Sequence, residues 1–117
     1  MTTSIKENAV LGDPELQSGL RGIDPAWGDL CTRVAGEVWG LPNIDQKTKT
    51  LITIAIDIVN GGTEPAPFFA HLDMAMKQGA TAETLHELIL FTSVYAGFNK
   101  GAPAMVHLNE FLAGRSK

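Results

Sequence analysis

Cysteine is all but missing. Cys31 stands alone, so neither an intrachain disulfide nor a dithiol redox pair can form, and a reducing cytoplasm is the expected compartment. Basic residues are also few. Nine Lys and Arg face 13 Asp and Glu, giving a net charge of −4 with no basic run, so neither nucleic acid nor an anionic membrane is an expected partner. Long apolar runs are lacking. The longest, Leu51 to Val59, is broken by Thr53 and Asp57 and is too short to span a bilayer. The segment Met1 to Glu7 has no apolar signal-peptide core. No His pair spaced i, i+4 around a carboxylate and no cysteine pair is present, so no metal is expected. Gly61-Gly62 and Gly97 to Gly101 lack a phosphate-loop or dinucleotide pattern, so no cofactor is expected either.

What is present suits one folded domain. The chain has 117 residues, 44% of them hydrophobic and 19% charged, enough for a core without staples. Residues 1–22 are polar and carry Gly12, Pro14, Gly19 and Gly22. They read as an N-terminal arm, with room for a short helix before Gly12, ahead of a single helical domain over 23–117. Asp24-Pro25 is a helix start, Asp as N-cap and Pro at the first helical position. Trp27, Cys31, Val34 and Val38, with Leu30 beside them, form one apolar face of a helix ending near Gly40-Leu41-Pro42.

Asp45 can cap a second helix that ends at Asn60-Gly61-Gly62. Its interior is ambiguous, because Ile52, Ile54, Ile56 and Ile58 alternate with Thr53, Ala55 and Asp57 as a strand would. The stop signals lie about fifteen residues apart, longer than most strands, and favour a helix. Pro65 and Pro67 fit the first turn of a third helix with Phe68, Leu72, Ala75 and Met76 inward, ending at Gly79. Thr81 caps a fourth, with Leu85, Leu88, Ile89, Thr92 and Tyr95 as its inner stripe. A fifth runs from about Pro103 to Leu112. The short connections predict an all-α bundle of five to six helices.

Few residues can carry chemistry. His71 shares a helical face with Phe68 and Ala75. Histidine on an apolar face is commonly a satisfied core residue, yet imidazole is also the side chain best suited to move protons near neutral pH. Glu37 follows Val34 and precedes Val38 and Trp39. It reads either as a boundary residue with its head in water or as a partly desolvated carboxylate able to give and take protons. His86 is expected to face solvent and His107 to pack at a subunit contact. Ser93 and Cys31 lack an activating neighbour and read as packing residues.

The run Ala35 to Ala55, with Glu37, Trp39, Pro42, Asp45, a Lys/Thr cluster and Leu51-Ile52-Thr53-Ile54-Ala55, resembles the signature of the carboxymuconolactone decarboxylase family. His71-Leu72, Gly79-Ala80-Thr81 and Tyr95-Ala96-Gly97 are similar to its later blocks, and Val10 to Asp13 to its N-terminal arm. The resemblance implies an all-α fold with a central helical hairpin. It also implies homo-oligomers, trimers or hexamers, with pockets near subunit contacts. It places Glu37 and His71 in the active-site region; the two are expected to be the catalytic pair, with Trp39, Phe68, Tyr95 and Glu64 expected around the substrate pocket.

Three departures narrow the activity. The related alkyl hydroperoxidase D branch carries Cys-x-x-Cys, and those places here hold Glu64 and Pro67, so peroxide reduction through a dithiol is excluded. The decarboxylases tend to carry Arg where this chain has Leu41 and Asp73, which removes bidentate partners for a polycarboxylate. The Gly-x-Pro of the family reads Gly97-Phe98-Asn99. Candidate replacement cations are Lys47, Lys49, Lys77, Lys100 and Arg33. The expected function is a cofactor-free acid–base enzyme of decarboxylase, isomerase or cyclase type, a lyase or isomerase acting on a small unsaturated or keto compound. The alternatives are 4-carboxymuconolactone decarboxylase itself, or a non-catalytic ligand-binding or assembly protein.

Overall fold

The computed structural model describes residues 7–115. The segment Met1 to Lys6, which entered the localisation reading, lies outside them. Six helices follow one another: α1 (Pro14–Ile23), α2 (Pro25–Trp39), α3 (Gln46–Asn60), α4 (Pro65–Lys77), α5 (Ala82–Ala96) and α6 (Phe98–Arg115). No strand occurs among the described residues, and no helix there is long and apolar enough to cross a membrane. The strand-like alternation of 51–59 is therefore helical. The chain forms two compact units whose division falls inside α3, between Lys49 and Thr50.

The first unit is organised by polar side chains. Asn8 and Asp13 are buried, and Ala9 and Val10 are buried between them. Asn8 donates from Nδ2 to the Gly36 carbonyl at 3.1 Å and accepts from the Val10 and Leu11 amides. Gln46 accepts from the Ala9 amide at 2.7 Å and donates to the Trp39 carbonyl at 2.7 Å. Asp13 caps α1, accepting from the Leu16 amide at 3.2 Å. The stretch read as an arm thus holds a ten-residue helix after Gly12, and the described residues 7–12 ahead of it are not helical. The signal was the Asp13-Pro14 pair, the same device as Asp24-Pro25, outweighed in the sequence by Gly19 and Gly22. Asp24 caps α2 as expected, accepting from the Trp27 amide at 2.9 Å. α1 crosses α2 at Gly28, where a Cβ would come within 2.6 Å of the Leu20 and Arg21 backbone.

That crossing buries Gly28, and the Leu11 side chain, ahead of α1, covers Gly36. The apolar stripe of α2 lies elsewhere: Trp27, Leu30, Val34 and Val38 are about half exposed in the single chain. The apolar face read from the sequence is thus not the buried one, because Gly28 and Gly36 are the α2 residues that are buried.

The second unit has an apolar core. Ile54 and Ile58 of α3, Phe68, Leu72 and Ala75 of α4, Leu85 and Ile89 of α5, and Ala104, Leu108 and Phe111 of α6 form one cluster. Burying each large member contributes roughly 1.5–3 kcal/mol. Thr81 caps α5 through the Thr84 amide at 3.1 Å, as the sequence predicts. Two expectations are corrected. Tyr95 is 80% exposed and not part of the inner stripe of α5. The last helix begins at Phe98, with Pro103 inside it rather than at its start. Pro103 removes one backbone donor only, and its ring is exposed.

Candidate active site

The titratable side chain best placed for chemistry in the second unit is His71. It stands on α4, one turn after the fully buried Phe68 and just before the fully buried Leu72. Its side chain is 29% exposed, neither sealed in the core nor open on all sides. Its Nδ1 meets the Oδ2 of Asp57 on α3, whose side chain is 17% exposed. Asp57 was read in the sequence only as an interruption of an apolar run. The signal that could have found it is chemical: a carboxylate one position from Ile58 on a core helix needs a partner, because an unpaired buried charge is costly.

The other expected site residues are placed as follows. Phe68 is fully buried and backs the α4 face beneath His71 rather than lining open space within this unit. Phe69 is half-buried and packs on Phe111 with ring centroids 5.5 Å apart. Glu64 is exposed at the N-cap of α4 and makes no side-chain cap bond. Tyr95 stands outward on α5 against Phe91, centroids 5.2 Å apart. His86 is exposed and His107 half-buried. Glu37 and Trp39 belong to α2 in the first unit, Glu37 exposed and Trp39 half-buried. The structure thus pairs His71 with Asp57, and the pairing of His71 with Glu37 rests on the resemblance alone.

The cations named by the sequence are largely engaged. Lys49 donates to the carbonyls of Trp39 at 2.8 Å and Leu41 at 2.7 Å, closing the C-terminal end of α2, where partial negative charge collects. Lys100 donates to the Val59 carbonyl at 2.7 Å. Lys77 lies 3.0 Å from Asp73, and Arg115 donates to the same carboxylate at 2.8 Å. Asp73 is therefore a partner for two cations, Lys77 one turn on in α4 and Arg115 of α6. Among the described residues no cluster of His, Cys, Asp and Glu is arranged to hold a metal ion.

The profile of the carboxymuconolactone decarboxylase family matches residues 25–108. A 4-carboxymuconolactone decarboxylase of Acinetobacter baylyi is 31% identical over 105 residues, covering 86% of this chain and 76% of that protein. A nitrosuccinic acid decarboxylase of Metarhizium robertsii is 30% identical over 101 residues, covering 83% and 69%. No solved structure matches at comparable significance.

Proposed function

The chain belongs to the carboxymuconolactone decarboxylase family, and from that premise we propose that it is an acid–base enzyme working without a cofactor, a lyase of decarboxylase type. Its substrate is a small unsaturated or keto acid, with fewer carboxylates than the family's name implies. His71 is the principal proton-transfer group and Glu37 a second one. The observation that carries this reading is the half-buried His71 of α4, held by the Asp57 carboxylate of α3.

Decarboxylation breaks a carbon–carbon bond and releases CO2. The electron pair stays on the substrate carbon and is held by a neighbouring carbonyl or similar acceptor. A proton must then reach that carbon. His71 gives it and is reprotonated from water. The same two proton movements serve double-bond isomerisation and enolate-driven ring closure, so those reactions stay within reach of one site. The engaged state of Lys49, Lys77 and Lys100 supports a substrate that needs little cationic clamping.

The named relatives favour one specific second reading, turnover of 4-carboxymuconolactone. One experiment separates the possibilities: NMR in deuterated water of the protein with 4-carboxymuconolactone, nitrosuccinate, levulinate and related unsaturated acids, scoring CO2 loss and deuterium on carbon. The proposal expects exchange or CO2 loss with at least one of them. Preferential turnover of the lactone supports the second reading. Binding without either signal supports a non-catalytic protein on this fold.

The exposed stripes of the two units support assembly into a homo-oligomer, trimer or hexamer. In the second unit these are Ile52, Ile56 and Val59 on α3 and Phe91, Val94 and Tyr95 on α5.

A further inference from the structure

Asp57 has no structural duty that apolar residues do not already perform. Ile54 and Ile58 on α3 and Phe68 and Leu72 on α4 are all fully buried in one cluster and hold the two helices together without it. A carboxylate kept at 17% exposure on that helix, against one nitrogen of the half-buried His71, has an orienting role to play. A neutral imidazole carries its proton on one nitrogen, and the hydrogen bond made by one ring nitrogen decides the state of the other. A carboxylate can only accept, so it draws the proton to Nδ1.

We infer that Asp57 is a positioning residue: it fixes neutral His71 in the Nδ1–H form and leaves Nε2 as the atom through which the proton passes. This rests on the proposal that His71 moves the proton. Without Asp57 the neutral ring takes the opposite tautomer, in which Nε2 already bears hydrogen and cannot take up the proton that replaces the one given to carbon. Removal of the orienting carboxylate from a catalytic histidine acts on turnover rather than on substrate affinity.

The test reads the tautomer directly. Nitrogen–proton correlation spectra of the full chain, labelled with 15N in histidine and recorded where the ring is neutral, are expected to show His71 protonated at Nδ1. In Asp57→Leu the Nε2–H form takes over. In Asp57→Asn the Nε2–H form should gain as well, because the amide can turn its NH2 to donate to Nδ1. In the exchange assay with the compounds named above, Asp57→Leu is expected to lower kcat about ten- to a hundred-fold with KM nearly unchanged, a smaller loss than His71→Gln. Asp57→Asn, which keeps the shape of the side chain but not its charge, should lose turnover as well, whereas Asp57→Glu should restore part of it. Wild-type His71 found as Nε2–H overturns the inference whatever His71 does in catalysis, and that spectrum decides the matter even if Asp57→Leu does not fold. An unchanged tautomer in folded Asp57→Leu overturns it as well. A tautomer as expected together with full exchange in His71→Gln upholds the orienting role and removes the proton-transfer reading instead.

Discussion

Ser93 fills the space that a side chain at Gly101 would need. A Cβ there would lie 1.8 Å from the Ser93 Oγ and 2.7 Å from its Cβ. Both residues are buried where α6 leaves α5, and the Ser93 hydroxyl is turned back onto the Ile89 carbonyl at 2.7 Å. Gly101→Ala should therefore force the helices apart and cost about 1–3 kcal/mol, lowering Tm by several degrees. Ser93→Ala removes the nearest atom, so the double variant should recover part of the loss in a thermal-melt cycle. Strict additivity would contradict this contact.

Asp73→Arg reverses the charge at the centre of the pairs that Asp73 makes. Here it would meet Lys77 and Arg115, which now share the Asp73 carboxylate. Three cations would then crowd the α4–α6 contact. The variant should melt lower than the parent, and added salt should narrow the gap. Asp73→Ala should cost less, about 1 kcal/mol or under, because these pairs are partly exposed. A more stable Asp73→Arg would contradict the assigned partners.

Asp45 caps α3, and the Thr48 amide donating to its carboxylate at 2.7 Å holds its pKa below the ordinary value of 3.8. A group whose pKa is depressed on folding stabilises the fold above its unfolded pKa and loses that effect as pH falls through the folded one. The Tm gap between the parent and Asp45→Ala should thus be constant near neutrality and shrink below pH 3.8. A gap that widens on acidification would contradict the cap's role.

Helix ends were the most legible part of the fold, because a cap is a local device. Asp24, Asp45 and Thr81 each accept the amide three residues on, as the sequence predicts. The core of the second unit was legible from the spacing of Phe68, Leu72, Leu85 and Ile89. The inward face of α2 was not, because spacing marks a stripe as apolar without naming what covers it. Trp27, Leu30, Val34 and Val38 are apolar yet uncovered in one chain, and Tyr95 failed for the same reason. His71 was legible as a lone histidine on a core helix. Asp57 was not, because its partner lies fourteen residues on and is brought to it only by the packing of α3 on α4.

Those uncovered stripes carry an expectation about assembly. Val94 is 65% exposed beside Phe91 and Tyr95. If this face is an interface between copies, Val94→Glu should lower the mass seen by light scattering at micromolar concentration while the helical circular dichroism is kept. A parent that is already a monomer would contradict the oligomer.

Thiol chemistry has no place in this account. Cys31 is half-buried and free, and Cys31→Ala should keep any turnover the parent has. Loss of turnover in a folded Cys31→Ala would replace the acid–base reading with a thiol one.

The central claim is that His71 passes a proton to substrate carbon. Its most direct test is the rate of deuterium incorporation at carbon in deuterated water, compared between the parent and a folded His71→Gln, with Glu37→Gln alongside. General acid–base contributions are about a hundred- to ten-thousand-fold, and each variant should lose about that much. Parent-rate incorporation by His71→Gln would contradict the account.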